Sequence, residues 1–373
     1  MIDYDDGGPM LQLSSIIYHP SNPYHATPAK VQTSANLHGS EMYNWCVSVD
    51  AGAWEGSQVR LSRCEVMAKR VIIAGAAGFI GRALCQALHG DYEVVALSRD
   101  ALRASGVIAE WATVLEWDAR TASTWARQAE GAYAIINLAG ENLAGGRWTQ
   151  ARKASIVQSR TNSATAIVDA VSGAKAKPEV VIQASAVGYY GSRGDTLLDE
   201  ESAAGSGFLA DVCRRTESVA ARVEWSGARY VAVRSGLVLA REGGILARFL
   251  MPYRFFLGGT LGHGRQWLSW ISLEDEIRAI RFLLEEPSLS GAFNLTAPNP
   301  VTMKQFSQVL GQVLHKPVWA MVPAFALRLV FGRMAEQTLL ASQKAFPKRL
   351  TEAGFTFTYP ELQTALEAIV QGD

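Results

Sequence analysis

The run AGAAGFIG at positions 74–81 sets Gly75, Gly78 and Gly81 at GxxGxxG spacing, directly after the apolar stretch VIIA and at the start of a helical pattern. Each glycine has a separate job in a strand-to-helix turn that holds phosphate. Gly75 permits the sharp turn, Gly78 lets the backbone approach a pyrophosphate, and Gly81 lets the helix pack close to the strand. The main chain of Ala77, Phe79 and Ile80 completes the cradle, with free N–H groups and the positive end of the helix dipole facing the anion. At the end of the next strand, where an Asp or Glu would grip the 2′-hydroxyl of NAD, the chain has Ser98 and Arg99. No carboxylate at that point repels a 2′-phosphate, and a guanidinium can pair with it, so NADP(H) is the expected dinucleotide. Asp118 ends the third strand within reach of an adenine amine or caps a helix. Leu138, Ala139 and Gly140 close the fourth strand in NLAG, where backbone passes beside the cofactor ribose.

These residues need a parallel sheet to bring them to one edge, and from Lys69 onward the chain alternates short apolar runs with longer helical patterns. Alternation of that kind is the mark of a sheet covered by helices on both faces. Strands are predicted at 70–74, 93–97, 113–116, 133–138, 179–184 and 230–234. Helices are predicted at 79–88, 124–130, 150–171 and 208–225. The fold class is α/β, a Rossmann-type doubly wound parallel sheet. After Ser235 the rhythm changes to glycine-rich loops, helices at 273–284 and 303–314, and a short strand at 292–295 between them. The expected domains are a nucleotide-binding domain over 67–240 and a smaller C-terminal α/β cap over 241–373. Residues 1–66 mix Pro, Ser, Gly, His and Asn with isolated aromatics and sustain no period, so little fixed structure is expected there. The pattern fits a native start at Met67, with the preceding residues an overextended reading frame. His19, His25 and His38 lie in that segment with irregular spacing, as solvated loop residues and not metal ligands.

Lys plus Arg equals Asp plus Glu at 35 each, so no net field gathers nucleic acid or an anionic membrane, and neither is an expected partner. No stretch approaches the ~20 apolar residues that span a bilayer, and the N-terminus has no signal-peptide pattern. Four cysteines, Cys46, Cys64, Cys85 and Cys213, are scattered without a CxxC pair, which fits a reducing, cytoplasmic setting. The expected partner is a small-molecule substrate; no metal site is predicted, and the oligomeric state is unassigned.

The ordered blocks GAAGFIG, NLAGENLAGGRWT, ASAVGYYG, RSGLVLAREGG, GGTLGHGRQWLSWISLED and NLTAPNPVTMKQF to PKRLTEAGFTF resemble the extended short-chain dehydrogenase/reductases, within them the epimerase-like family 39U. The resemblance spans roughly Ala68 to Ala368 and implies an NADP(H)-binding domain with epimerase, dehydratase or reductase activity. The superfamily's chemistry uses a Tyr that exchanges a proton with substrate, a Lys that lowers its pKa and a Ser that hydrogen-bonds the same oxygen. Ser185 fits the serine position. The YxxxK positions are filled by Leu209 and Cys213, neither of which does that acid–base work. Tyr189 or Tyr190, just beyond Ser185, is the candidate replacement; packing is the alternative role for both. Cys213 reads as a small core residue.

In nucleotide-sugar epimerases a basic residue seven places before the Asp of a VxD-like turn often binds the substrate diphosphate; counting back from Asp275 lands on Leu268. Arg265 and Arg234 remain for an anionic group, although Arg234 could instead tie down a loop. The glycine-rich stretch 258–270 suits a pocket wall, with Arg265, Gln266 and Trp267 as substrate-binding candidates. Filling of a domain seam is the competing role for Trp267 and Trp270. Two functions follow: an NADP(H)-dependent enzyme acting on a small molecule, or a catalytically weak NADP(H)-binding sensor. The retained serine favours the first and the missing Tyr and Lys favour the second.

Overall fold

In a computed structural model the described residues are 31–35, 43–48, 60–63 and 68–372, except 124, 144 and 257. Residues 1–68 and 69–373 form separate compact units. In the first, where little fixed structure is expected, three short strands, Val31–Ala35, Tyr43–Ser48 and Arg60–Arg63, pair antiparallel in that order. The proposed start at Met67 and the three histidines lie outside the described residues.

The second unit is built on seven strands: β1 Arg70–Ala74, β2 Glu93–Ser98, β3 Thr113–Glu116, β4 Ala134–Asn137, β5 Val180–Ala186, β6 Arg229–Ser235 and β7 Gly291–Leu295. They lie in the order 3-2-1-4-5-6-7, every pair parallel. The central strands are largely apolar because both faces are covered, whereas edge strand β3 exposes Thr113 and Glu116. In β1, Val71 and Ile73 face one helical layer while Ile72 and Ala74 face the other. Helices α1 Phe79–Leu88, α2 Ala101–Ile108 and α5 Leu273–Glu285 cover the first face. Helices α3 Gln150–Gly173 and α4 Phe208–Ala220 cover the second. Strand order reverses between β1 and β4, which opens a crevice at their C-terminal ends, the usual dinucleotide position in such sheets.

The predicted strands all form, with ends shifted by at most two residues. Helix α2 is an addition, capped by Asp100, whose carboxylate accepts the Arg103 N–H at 2.9 Å. The helix expected over 124–130 is a single turn, Ala126–Ala129. Strand β7 comes from beyond residue 240 yet pairs with β6 from Val231↔Gly291 to Ser235↔Leu295, so cap and sheet segments alternate along the chain. The remaining cap packs helices Leu246–Arg254, α6 Met303–Val313 and α7 Leu362–Gln371 around the fully buried Trp270. Helix α6 opens with a capping box: Thr302 accepts the Gln305 N–H and Gln305 reaches back to the Thr302 N–H. Among the described residues no helix is long and apolar enough to cross a membrane.

Candidate functional site

The glycine cradle sits at the reversal point. Gly75 turns out of β1 at φ +79°, and a Cβ there would stand 2.8 Å from the Leu138 carbonyl carbon and 2.9 Å from the Ala139 nitrogen. The β1 and β4 turns therefore touch backbone to backbone, which only glycine permits. At Gly81 a Cβ would meet the Gly75 oxygen at 2.5 Å, so this glycine seats α1 against the turn. At Gly78 a Cβ meets only the Gly75 oxygen, at 3.0 Å, and otherwise open space, the side on which a pyrophosphate would lie. Helix α1 has no acidic residue in its first turn and no side-chain cap, so the N–H groups at Phe79, Ile80 and Gly81 remain for an anion. The turn that includes Gly243 and Gly244 packs on the Phe79 ring.

Around the cradle, Asn137 fixes the β4 turn from within: it is fully buried, donates to Gln183 Oε1 at 2.8 Å and Ser163 Oγ at 3.2 Å, and accepts the Ala139 N–H at 3.1 Å. That network holds Leu138, Ala139 and Gly140 in place beside the Gly75 turn. At the end of β2, the Ser98 hydroxyl donates to the Asp100 carbonyl at 3.1 Å. Arg99 is exposed, with no ion pair or hydrogen bond among the described residues. Asp118 is occupied by its own loop, its Oδ1 accepting the N–H groups of Arg120 and Thr121 at 2.8 and 2.9 Å. Those two bonds, Thr121 first, hold its carboxyl below the usual range. Asp118 thus ties its own turn and caps no helix, because the next one, Ala126–Ala129, starts from Trp125.

Ser185 lies near the end of β5, beside Arg234 of β6 in register. Its hydroxyl donates to Glu217 Oε1 of α4 at 2.5 Å. Arg234 binds the same carboxylate twice, Nε to Oε1 at 3.0 Å and Nη2 to Oε2 at 2.8 Å, with side-chain exposures of 6% and 12% for the pair. Burial opposes the Arg234 charge, but the Glu217 contacts outweigh it and the guanidinium pKa is raised. Arg234 also donates to the Tyr190 hydroxyl at 3.1 Å and lies 3.5 Å over the Tyr189 ring. Cys213, four residues before Glu217 on α4, is buried, which pushes its thiol pKa up; Sγ faces the Ala186 carbonyl at 3.8 Å. The Ser185 hydroxyl also neighbours that thiol, but one proton cannot serve both, and the 2.5 Å contact claims it.

The two tyrosines part company here. Tyr190 is fully buried, its hydroxyl donating to Asn294 Oδ1 at 2.7 Å while accepting from Arg234, and burial pushes its pKa up to about 12. It is a packing residue and drops out as an acid–base group. Tyr189 is half-buried, and its hydroxyl has no hydrogen-bond partner among the described residues. Of the pocket-wall candidates, Gln266 is also corrected. At 1% exposure it ties its loop to the Leu261 and Leu339 carbonyls at 2.8 and 3.2 Å, with no surface left for a substrate. Trp267 joins loops, its Nε1 donating to Asp195 Oδ1 at 2.7 Å and its ring under Lys344, while Trp270 fills the cap core. Arg265 is exposed, its main-chain N–H bonded to His263 Nδ1 at 3.1 Å. A wide concavity of about 740 Å³ lies on α6 and the turn after it, lined by Gln308, Gln312, His315 and Lys316 and by no cradle residue.

Glu217 marks the end of the YxxxK stretch in the sequence but is not among its candidate site residues, although an acid at i+4 from Cys213 shares its helix face. Arg234 was noticed, but only as a possible anion site or loop tie.

Residues 71–295 match the NAD dependent epimerase/dehydratase family, and residues 322–369 match a domain of unknown function, DUF1731. An epimerase family protein of Mycobacterium bovis is 40% identical over 297 residues, 79% of this chain and 96% of that protein. The chloroplastic SDR39U1 homolog of Arabidopsis thaliana is 38% identical over 306 residues, 81% of this chain and 86% of its own. Among solved structures, human epimerase family protein SDR39U1 with NADPH superposes with a TM-score of 0.74 at 31% identity, covering 81% of this chain and 99% of the human one. The Bacillus cereus UDP-glucuronic acid 4-epimerase, in complex with UDP-glucuronic acid and NAD, shares the fold with a TM-score of 0.65 at 18% identity, over 81% and 98% of the two chains.

Proposed function

The chain belongs to the NAD dependent epimerase/dehydratase family, in the epimerase-like 39U branch of the extended short-chain dehydrogenase/reductases, and from that premise we propose that it is an NADP(H)-dependent enzyme of epimerase, dehydratase or reductase type acting on a small molecule between the cradle and the cap formed by 241–373. The observation that carries the cofactor choice is Arg99, a guanidinium at the end of β2 with no partner among the described residues, the Asp100 carboxylate being turned into the α2 cap. When bound, the dinucleotide supplies or accepts a hydride. The protein's own contribution centres on Ser185. Because its one hydrogen points at Glu217, Ser185 meets a substrate as a hydrogen-bond acceptor, which suits a hydroxyl group better than a carbonyl oxygen. Tyr189, with its free hydroxyl, is the donor that remains. Of the three pocket-wall residues, only Arg265 keeps a free side chain for an anionic substrate group.

Fluorescence titration tests the cofactor assignment. The protein binds NADPH more tightly than NADH, and Arg99→Ala weakens NADPH by about 1 to 3 kcal/mol, the contribution of a charge-assisted contact, with NADH nearly unchanged. Equal affinities for the two dinucleotides in the unmodified protein would refute it.

The second reading, a sensor that keeps the cofactor and lacks turnover, draws its support from Leu209 and Cys213 in the YxxxK positions and from the occupied hydroxyl of Tyr190. The two readings separate on NADPH oxidation against a panel of carbonyl compounds and sugars. An enzyme consumes NADPH with at least one of them, faster than Tyr189→Phe does; stoichiometric binding without turnover across the panel favours the sensor.

A further inference from the structure

Arg160 of α3 is a cation with no direct ion pair among the described residues, Glu141 acting on it only at a distance. Its guanidinium packs against Gly140: a Cβ on that glycine would lie 3.0 Å from Cζ and 3.2 Å from Nε. Gly140 belongs to the β4 turn, which in turn abuts Gly75. Arg160 therefore lies on the same sheet edge as the cradle, on its β4 side. Its one hydrogen bond runs from Nη1 to the Ile156 carbonyl of its own helix, at a long 3.3 Å. It forms no ion pair among the described residues, whereas nearby Glu141 is held by Arg152 at 2.6 Å and Ser155 at 3.3 Å. The residue is partly exposed, and its Nε and Nη2 make no hydrogen bond among the described residues. Burial weakens its hold on the proton, yet an arginine stays charged under such conditions.

A partly buried guanidinium with no direct ion pair costs stability unless a ligand completes its hydrogen bonds. Helix α3 packs on α4, and Arg160 and the neutral Cys213 are electrostatic neighbours. The cation that a lysine at 213 would have supplied is thus absent from α4 and present on α3. A dinucleotide laid across the edge has its adenosine half toward β2 and β3, near Arg99, and its other half toward β4 and β5. We propose that Arg160 anchors the nicotinamide-side ribose-phosphate of the dinucleotide, its free N–H groups donating to oxygens there. This rests on the dinucleotide site proposed above.

Calorimetric titration with NADPH, NADH and 2′,5′-ADP separates the possibilities, because the last ligand lacks the nicotinamide half. Arg160→Ala weakens NADPH and NADH alike, by roughly 10- to 100-fold, and leaves 2′,5′-ADP unchanged. Arg160→Lys, which keeps the charge with fewer donors, falls between. Unchanged NADPH affinity in Arg160→Ala overturns the proposal while leaving the cofactor site standing. Parallel loss of all three ligands, with Arg160→Lys no better, overturns it by making Arg160 a scaffold residue. If the unmodified protein binds neither dinucleotide, the site itself fails and the proposal with it.

Discussion

Arg234→Met is expected to lower folding stability by about 3 to 5 kcal/mol, the usual cost of removing one member of a buried ion pair. The large value comes from what is left behind. Glu217, 12% exposed, would be left with only the Ser185 hydroxyl against its carboxyl group. The Tyr190 hydroxyl would lose its donor and the Tyr189 ring its overlying cation. Removing both charges, as in Arg234→Met with Glu217→Leu, is expected to recover most of the loss, because two well-packed apolar groups replace a pair whose attraction largely offsets its desolvation. Urea denaturation read by fluorescence gives both numbers from the midpoint at constant slope. A single variant within about 1 kcal/mol of the parent would show that water reaches Glu217 freely. A double variant no better than the single would locate the damage in the tyrosines instead.

The cradle could be read from the sequence because its constraints are local. Gly75, Gly78 and Gly81 answer to contacts within one turn and its neighbouring strand, and an apolar run before and a helical period after are enough to place them. The sheet was legible for a similar reason, since strands buried on both faces have no polar alternation to confuse them. Ser185, Glu217 and Arg234 were not legible as a chain. They lie 32 and 17 residues apart and meet only because β5 and β6 are adjacent, with α4 crossing between them. Tyr189 and Tyr190 show the limit most plainly. Consecutive residues in a 3₁₀ turn point in different directions, one into the core and one across Arg234, and no periodicity in YYG says which. Gln266 misled for the opposite reason: a glycine-rich loop reads as mobile and open, yet this one folds back so that its glutamine side chain binds two neighbouring carbonyls.

The charged groups near Ser185 are drawn from several elements. Where the superfamily keeps its tyrosine and lysine four residues apart on one helix, α4 of this chain presents an apolar Leu209 and a neutral Cys213. Charge now comes from elsewhere: Arg234 from β6 and Arg160 from α3, with Glu217 one turn beyond Cys213. Arg234 and Glu217 hold each other directly, whereas Arg160 on α3 bonds to neither of them. Loss of cofactor affinity and loss of the Ser185 contact should therefore separate cleanly between Arg160 and Glu217 variants.

Stability should fall as pH rises from about 5 to 8, and Glu276→Gln should remove most of that dependence. Glu276, on the first turn of α5, is 1% exposed; Oε1 accepts the Ser235 hydroxyl at 2.6 Å, and among the described residues no cation pairs with the carboxylate and Oε2 has no partner. Burial pushes its carboxyl from 4.5 up to about 8, with the Ser235 bond offsetting only part of the shift. The folded chain therefore holds a proton that the unfolded chain releases between those values. The stabilising contribution is complete below about 4.5 and is lost as the pH climbs through 8, with a slope approaching ~1.4 kcal/mol per pH unit. Glu200, whose pKa burial also raises, adds a slope of the same sign. Asp118 and Glu130, held below their usual values by backbone N–H groups, act only at more acid pH. Glutamine keeps the shape and the Ser235 contact without a titrating proton. Melting temperatures of the two proteins should converge near pH 5 and separate toward pH 8, with the variant the higher. Parallel curves across that range would mean that Glu276 is already ionised in the fold, with water supplying the partner that Oε2 lacks.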